Sequence, residues 1–168
     1  SFSKKVGDQF SIKLDKITNL SDEFMRSNNI KVFVLSDLTM SPFAIDKQRQ
    51  ALLMMRNQFG GNLYVSFLTP EGVTETMMAS DYVINHYCVS LGYEDDSPYV
   101  YRAIATKLEE VCDTTSILYD SDLFAFFVFT DGNTWLGDMP VDISHFSIKR
   151  EITNIITNVS MAYIIKQV

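Results

Sequence analysis

The sequence is poor in the residues that mark disordered, fibrous and membrane-spanning chains. It contains only 4 prolines and 7 glycines among 168 residues, and 46% of its residues are hydrophobic, which excludes a disordered, collagen-like or low-complexity chain. No apolar run approaches the roughly 20 residues of a transmembrane helix. Positive charge is also scarce, because 14 Lys and Arg stand against 21 Asp and Glu, for a net charge of −7. This balance argues against a nucleic acid or an anionic membrane as partner and favours a basic protein or a cation.

Cysteine is scarce as well, with only Cys88 and Cys112 in the sequence. Both lie in apolar surroundings without motif spacing, so we interpret them as buried free thiols, with a single disulfide as the alternative. Residues 1–5 lead into a mixed polar segment rather than the apolar core of a secretory signal. Together these features predict a cytoplasmic protein.

Short apolar segments alternate with segments of helical periodicity along the chain. The run 31–37 is apolar at consecutive positions and ends in a polar loop, which is typical of a strand buried on both faces. Ser41 and Pro42 then signal a helix start, and Gly60 and Gly61 signal its end. Similar patterns predict strands at 62–68 and 123–130, a short edge strand at 73–78, and helices at 81–91, at 97–112 and over Ile148, Ile152, Ile155 and Ile156. They also predict a last strand at 159–168, with a continuation of the preceding helix as the alternative.

The alternation of strands and helices predicts an α/β fold with a doubly wound, mostly parallel sheet, flanked by helices and carrying one short antiparallel edge strand. We expect residues 30–168 to form this domain. Apolar residues recur every three or four positions between residues 2 and 17, so we predict that residues 1–29 form a helical extension packing on the domain. Strict alternation over residues 10–14 leaves a strand as the alternative for that segment.

In doubly wound sheets the functional site lies beyond the carboxyl ends of the strands. Asp37 and Asp131 end two of the predicted strands, so we expect their carboxylates to converge. Asp37, Thr39 and Ser41 place a carboxylate and two hydroxyls at alternating loop positions, and such oxygens are the ligands that Mg²⁺ prefers. Ser97, at a predicted helix start, is a further candidate donor. These residues predict a divalent cation site.

The segment 32–41, Val-Phe-Val-Leu-Ser-Asp-Leu-Thr-Met-Ser, resembles the Asp-x-Ser-x-Ser opening of von Willebrand factor A (vWA) domains. The segment 127–132, Phe-Val-Phe-Thr-Asp-Gly, resembles the later Thr-Asp-Gly strand end of that family. The resemblance covers roughly residues 30–168 and implies a metal-ion-dependent adhesion site for Mg²⁺ or Mn²⁺. It implies that the ion is held by Asp37, Thr39, Ser41 and Asp131, with Ser97 in the place of the family's middle threonine.

In vWA domains the bound ion keeps one position open for a carboxylate of a partner protein. The resemblance therefore implies a protein-binding, non-catalytic module without a small-molecule substrate, similar to intracellular adaptors. Met40 and Trp135 lie near the predicted rim and are candidate partner contacts, since loop aromatics often anchor interfaces. For Trp135 the alternative is a ring that packs back onto its own loop. Asp96, in the acidic run 94–96, is a third candidate, suited to a basic partner.

Two alternatives remain open at this point. In the first, the chain is a metal-free vWA-like scaffold in which Asp37 and Asp131 only cap helix N-termini. In the second, the Asp-x-Thr-x-Ser segment is the first motif of a haloacid-dehalogenase-like, Mg²⁺-dependent phosphotransferase with Asp37 as the nucleophile. Phosphate-binding glycine loops, dinucleotide fingerprints and hydrolase elbows are absent from the sequence.

Overall fold

A computed structural model of the chain describes residues 30–89, 92, 98–119, 123–131, 134–141, 151–156 and 160–166. The predicted helical extension over 1–29 lies outside these residues. Among the helices that are described, none has both the length and the apolar character needed to cross a bilayer.

The described residues form one mixed sheet with helices on both of its faces. The strands are β1 (Ile30–Asp37), β2 (Leu63–Thr69), β3 (Gly72–Val73), β4 (Met77–Met78), β5 (Leu123–Phe129), β6 (Glu151–Ile156) and β7 (Ser160–Lys166). The helices are α1 (Pro42–Phe59), α2 (Asp81–Tyr87) and α3 (Val100–Cys112). The strand order is β3-β2-β1-β5-β7-β6, with β4 pairing β2 in addition.

The centre of the sheet is parallel, as the continuous apolar runs predicted. β1 lies between β2 and β5 and pairs with both in parallel. Val34 is opposite Val65 on one side and Phe127 on the other. Consecutive residues of β1 pack on opposite faces, Val34 with the α1 and α2 side and Leu35 with the α3 side. The coarse prediction of an α/β fold is therefore confirmed, with parallel pairing at the centre of the sheet.

Helix α1 begins and ends where the sequence predicted. The Ser41 hydroxyl accepts a hydrogen bond from the Ala44 N–H at 3.2 Å, and Pro42 occupies the first helical position. Gly60 closes the helix with a φ of 58°, a conformation that favours glycine. The apolar stripe of α1 is buried against the sheet, and it includes Ala51 and Met55.

The C-terminal prediction is wrong in one element. Residues 151–156, predicted as helical, form β6, while Ile148 lies outside the described residues. The predicted final strand is confirmed as β7, which pairs antiparallel with both β5 and β6. Antiparallel pairing is therefore not confined to one short edge strand. Even that predicted edge strand divides into β3 and β4, each two residues long and antiparallel to β2.

Two helix boundaries also differ from the predictions. Helix α3 begins at Val100 with Tyr99 as its N-cap residue, and Tyr99 makes no side-chain cap hydrogen bond. Helix α2 follows a Ser80 cap and ends at Tyr87 rather than at residue 91.

Candidate functional site

The candidate site lies where β1 and β5 end side by side. From β1 the chain passes through α1 to β2 on one side of β1, and it later reaches β5 on the other side. This reversal of strand order creates the crevice in which open α/β sheets place their ligands. Because Ser36 is opposite Phe129, the next residues along, Asp37 and Thr130, are neighbours at this edge.

The Asp37 carboxylate is buried and held by three hydrogen bonds. Its Oδ1 accepts the Thr39 backbone N–H at 2.8 Å and the Thr39 hydroxyl at 2.6 Å. Its Oδ2 accepts the Thr130 hydroxyl at 2.9 Å. Only 1% of Asp37 is exposed. These bonds fix the carboxylate across the junction between β1 and β5.

The surroundings of Asp37 disfavour its charge. Burial raises the pKa of the Asp37 carboxyl from 3.8 to about 6, although the hydrogen bonds from Thr39 and Thr130 act in the opposite direction. The Asp131 carboxylate raises this pKa further by repulsion. Asp37 and Asp131 therefore lie near each other, as expected for residues that end adjacent parallel strands.

The loop after β1 is tied to α1 by Gln48, which is fully buried. The Gln48 side-chain N–H donates to the Asp37 backbone carbonyl at 2.9 Å and contacts the Met40 sulfur at 3.0 Å. The Ser36 hydroxyl donates to the Gln48 side-chain carbonyl. The Leu38 N–H completes the anchoring by donating to the Leu68 carbonyl at 2.9 Å. The loop is thus fixed on both sides of Asp37.

Met40, predicted as a partner contact, is a core residue in this structure. It is 2% exposed and packs in the cluster beneath α1. Its position under the loop therefore offers no surface to a partner, which corrects that prediction. Asp96 and Ser97 lie outside the described residues.

The donor set suits a small, hard cation. The hydroxyls of Thr39 and Thr130 are both buried and bonded to the Asp37 carboxylate, which lies near Asp131. Ser41, at the end of the same loop, is also almost fully buried, and its hydroxyl accepts the Ala44 N–H. Among the described residues no three His, Cys, Asp or Glu side chains group together. A cation here would therefore depend on hydroxyl oxygens and water in addition to two carboxylates.

Sequence reasoning missed two residues of this site, Gln48 and Thr130. Both carried a usable signal. Gln48 is a polar residue on the stripe of α1 that otherwise holds residues such as Ala44 and Leu52, and a polar side chain on a buried stripe requires a partner. Thr130 directly follows the most apolar strand and precedes Asp131, so its hydroxyl belongs at the same edge.

A second loop, residues 134–141, follows Asp131 along the chain and is fixed to helix α3. The Thr134 hydroxyl accepts the Val100 N–H at 3.1 Å, and the Asp138 carboxylate accepts the Tyr101 N–H at 2.7 Å and the Arg102 N–H at 3.1 Å. These three N–H groups are the first of α3 and have no partner within the helix. A distant loop thus caps the first N–H groups of α3, and the same loop presents Trp135 with 52% of its surface exposed.

Comparisons with protein-family models, with curated proteins and with solved structures found no match to this chain. The parts of the site are two carboxylates that end adjacent parallel strands, the Thr39 and Thr130 hydroxyls bonded to Asp37, and the buried Ser41 at the end of the same loop.

Proposed function

We propose that this chain is a protein-interaction module similar to a vWA domain, which binds a partner through Mg²⁺ or Mn²⁺ at the edge where β1 and β5 end. The supporting observation is the Asp37 carboxylate, buried beside Asp131 with its pKa raised to about 6. Within the described part of the chain, neither ion pair involves Asp37. A buried carboxylate without a basic partner is stabilised by a bound cation.

The chain's own residues prepare the site for an ion. A carboxylate oxygen has about two acceptor positions. Among the described contacts, Oδ1 of Asp37 accepts two hydrogen bonds and Oδ2 accepts one, so Oδ2 retains an acceptor position. Thr39 and Thr130 orient the carboxylate, and Gln48 holds the loop that carries Thr39.

In the proposal Asp37, Thr39, Ser41 and Asp131 hold the ion, together with Ser97. The bound ion supplies an open coordination position for an Asp or Glu side chain of the partner. Because hydroxyls do not neutralise the ion's charge, an incoming carboxylate gains strongly. The module binds without catalysis, and its ligand is a protein rather than a small molecule, a nucleic acid or a membrane. We place it in the cytoplasm, which the buried Cys88 and Cys112 thiols support.

Isothermal titration calorimetry with MgCl₂ and MnCl₂ tests the proposal. We expect saturable binding to the wild type and to Asp46→Asn, a control that removes a surface carboxylate on α1. We expect no binding to Asp37→Ala or to Asp131→Asn, each checked for folding by circular dichroism. Absence of binding to the wild type would overturn the proposal in favour of the metal-free scaffold. Equal binding by all variants would place the ion elsewhere.

The phosphotransferase alternative receives less support from the same geometry. A nucleophilic Asp37 has to reach a phosphorus atom, yet this carboxylate is 1% exposed and accepts three hydrogen bonds. Such enzymes also use a lysine to balance phosphoryl charge, and the buried Lys107 instead contacts Thr76 and Glu110. Mg²⁺-dependent phosphate release from a phosphoester, abolished by Asp37→Asn, would reverse this preference.

A further inference from the structure

The loop 134–141 exposes large apolar side chains on a fixed backbone. Trp135 and Met139 are 52% and 78% exposed, and Leu136 is fully exposed. The Trp135 N–H donates to the Pro98 carbonyl at 3.0 Å, and the Asp138 N–H donates to the Trp135 carbonyl at 2.9 Å. Single exposed apolar residues are ordinary, whereas three within five residues of a hydrogen-bonded loop mark a binding surface.

Tyr99 connects this loop to a positive charge. Its ring centroid lies 6.2 Å from that of Trp135, and the Arg102 guanidinium lies 4.1 Å from the Tyr99 ring centroid. Within the described residues Arg102 forms no ion pair. Stacking holds the guanidinium in place while its N–H donors stay available for a carboxylate.

A cavity of about 320 Å³ continues this surface towards the turn between β2 and β3. Its lining includes apolar atoms of Leu68, Val73 and Ala103 and is completed by Tyr99 and Arg102. Among the described residues of the lining, Glu71, on the turn, is the one acidic residue, and Arg102 is the one basic residue. Because Glu71 repels an anionic ligand group, such a group is expected to bind beside Arg102. The volume is at the small end of ligand pockets and accommodates a few side chains rather than a large cofactor.

We infer that Tyr99, Arg102, Trp135, Leu136 and Met139, here called the Tyr99 surface, bind a peptide segment of the partner that carries an acidic residue beside large apolar residues. The acidic residue pairs with Arg102, and the apolar residues cover Trp135, Leu136 and Met139. The inference deepens the proposed function and rests on it in one respect, that the ligand is a protein. It does not depend on the metal site, because no ion participates in these contacts.

Charge complementarity identifies this occupant. The chain has a net charge of −7, so a second copy and an anionic bilayer both meet general repulsion. A short segment that directs its acidic group to Arg102 avoids most of that repulsion and gains the bidentate pairing that a guanidinium offers. The apolar side chains outside the cavity require a ligand longer than a small molecule.

Selection of random 12-residue peptides displayed on phage, against the immobilised chain in EDTA, tests the inference. We expect enriched peptides to carry Asp or Glu near aromatic residues, Leu or Met. In fluorescence anisotropy, Arg102→Glu and Trp135→Ala should each weaken the binding of a selected synthetic peptide by at least about tenfold. Both positions are exposed, and Glu is favourable in the first turn of a helix, so the fold is retained.

Two matched controls are available on the other side of the sheet. Lys47 lies 5.5 Å from the Phe43 ring centroid on α1, so Lys47→Glu reverses the charge of a comparable cation–aromatic pair. Tyr82 on α2 is 75% exposed, so Tyr82→Ala removes a comparable surface aromatic ring. Both variants should bind the peptide like the wild type.

Other outcomes would overturn the inference. Enriched peptides without acidic residues, or equal binding to Arg102→Glu, would exclude the pairing with Arg102. If the chain self-associates and Leu136→Ser abolishes this, the surface binds a second copy of the chain. If the chain binds phosphatidylserine vesicles and Leu136→Ser abolishes this, the surface binds a bilayer. Because the selection is made in EDTA, peptide binding without Mg²⁺ binding would contradict only the metal site. Mg²⁺ binding without peptide selection would contradict only the Tyr99 surface.

Discussion

At the scale of single residues, the charge of Asp37 opposes folding when no cation accompanies it. The pKa of this carboxyl is raised from 3.8 to about 6 in the folded chain, chiefly by burial. Its proton is therefore held more tightly in the folded state than in the unfolded state. The resulting stability is fully present below pH 3.8 and is lost as the pH rises through about 6. A difference of about two pKa units corresponds to about 3 kcal/mol of unfolding free energy.

Asp37→Asn should therefore stabilise the metal-free protein at alkaline pH. The amide oxygen still accepts the hydrogen bonds from Thr39, and the Thr130 hydroxyl rotates to accept from the amide N–H. Urea unfolding in EDTA should show the variant more stable than the wild type at pH 8, by about 1–3 kcal/mol, and equal to it near pH 4.

Asp46→Asn is a control that should change the stability at pH 8 in the opposite direction. A hydrogen bond from Arg49 lowers the pKa of Asp46, so its removal should lower stability slightly at pH 8. An Asp37→Asn protein less stable than the wild type at pH 8 would show that the hydrogen bonds to Asp37 outweigh its desolvation.

Gln48 should contribute more to stability than an ordinary helix residue. Gln48→Ala leaves the buried Ser36 hydroxyl and the Asp37 carbonyl without their partner and opens a cavity beneath the loop. We expect a loss of about 2–4 kcal/mol in urea unfolding. Gln50→Ala, which removes an exposed side chain of the same helix bonded to Asp46, should change stability by about 0.5 kcal/mol or less. Similar losses in both variants would contradict the anchoring role.

At the scale of elements, the sequence predicted the helix boundaries that depend on residues within one turn. Ser41 and Pro42 start α1 because a hydroxyl cap and a fixed φ act within one turn, and Gly60 ends it for a similarly local reason. Residues 151–156 were misassigned because isoleucines spaced by three and four resemble a helical stripe. The same segment is rich in β-branched residues, which favour a strand, and pairing with β7 determines the outcome.

Helix α3 shows a start that local sequence does not reveal. Its first N–H groups are bonded by Thr134 and Asp138, more than thirty residues away, rather than by a side chain just before the helix. Because this cap comes from a loop distant in the sequence, the sequence shows only an isolated Asp in a loop, which does not indicate a helix start.

Asp138→Ala should destabilise the protein through α3. The substitution removes the acceptor of two helix N–H groups and a negative charge at the helix N-terminus. We expect a loss of about 1–2 kcal/mol in urea unfolding and faster amide hydrogen exchange at Tyr101 and Arg102. Glu109→Ala, on the exposed side of α3, is the control and should have little effect. Unchanged exchange at both amides would contradict capping by Asp138.

At the scale of the whole molecule, the sheet unites residues that the sequence separates. Asp37 and Thr130 are 93 positions apart and become hydrogen-bonded because β1 and β5 are adjacent and parallel. The general rule for strand ends predicted that Asp37 and Asp131 meet. It did not predict the Thr130 contact or the burial of Met40, because both depend on register and loop packing, which composition and periodicity do not specify.

Because Asp37 and Asp131 meet at the strand ends, binding of an ion should be coupled to loss of the proton from Asp37. Mg²⁺ requires the ionised Asp37 carboxylate, whose pKa is raised to about 6, so protons and the ion compete for the same group. At pH 8 this carboxylate is already ionised and binding should release almost no proton from it. At pH 6 about half of the molecules carry the proton, so binding should release about half a proton per ion. Below pH 6, the affinity for the ion should fall about tenfold per pH unit. The fall becomes steeper at any lower pH at which a second ligand is also protonated.

Calorimetry in two buffers of different ionisation enthalpy measures this proton release directly. Asp46→Asn, on the surface of α1, should reproduce the wild-type release. Ion binding whose affinity and proton release do not change between pH 6 and pH 8 would show that the ion does not contact Asp37, because a buried carboxylate with a raised pKa has to lose its proton before it becomes a ligand.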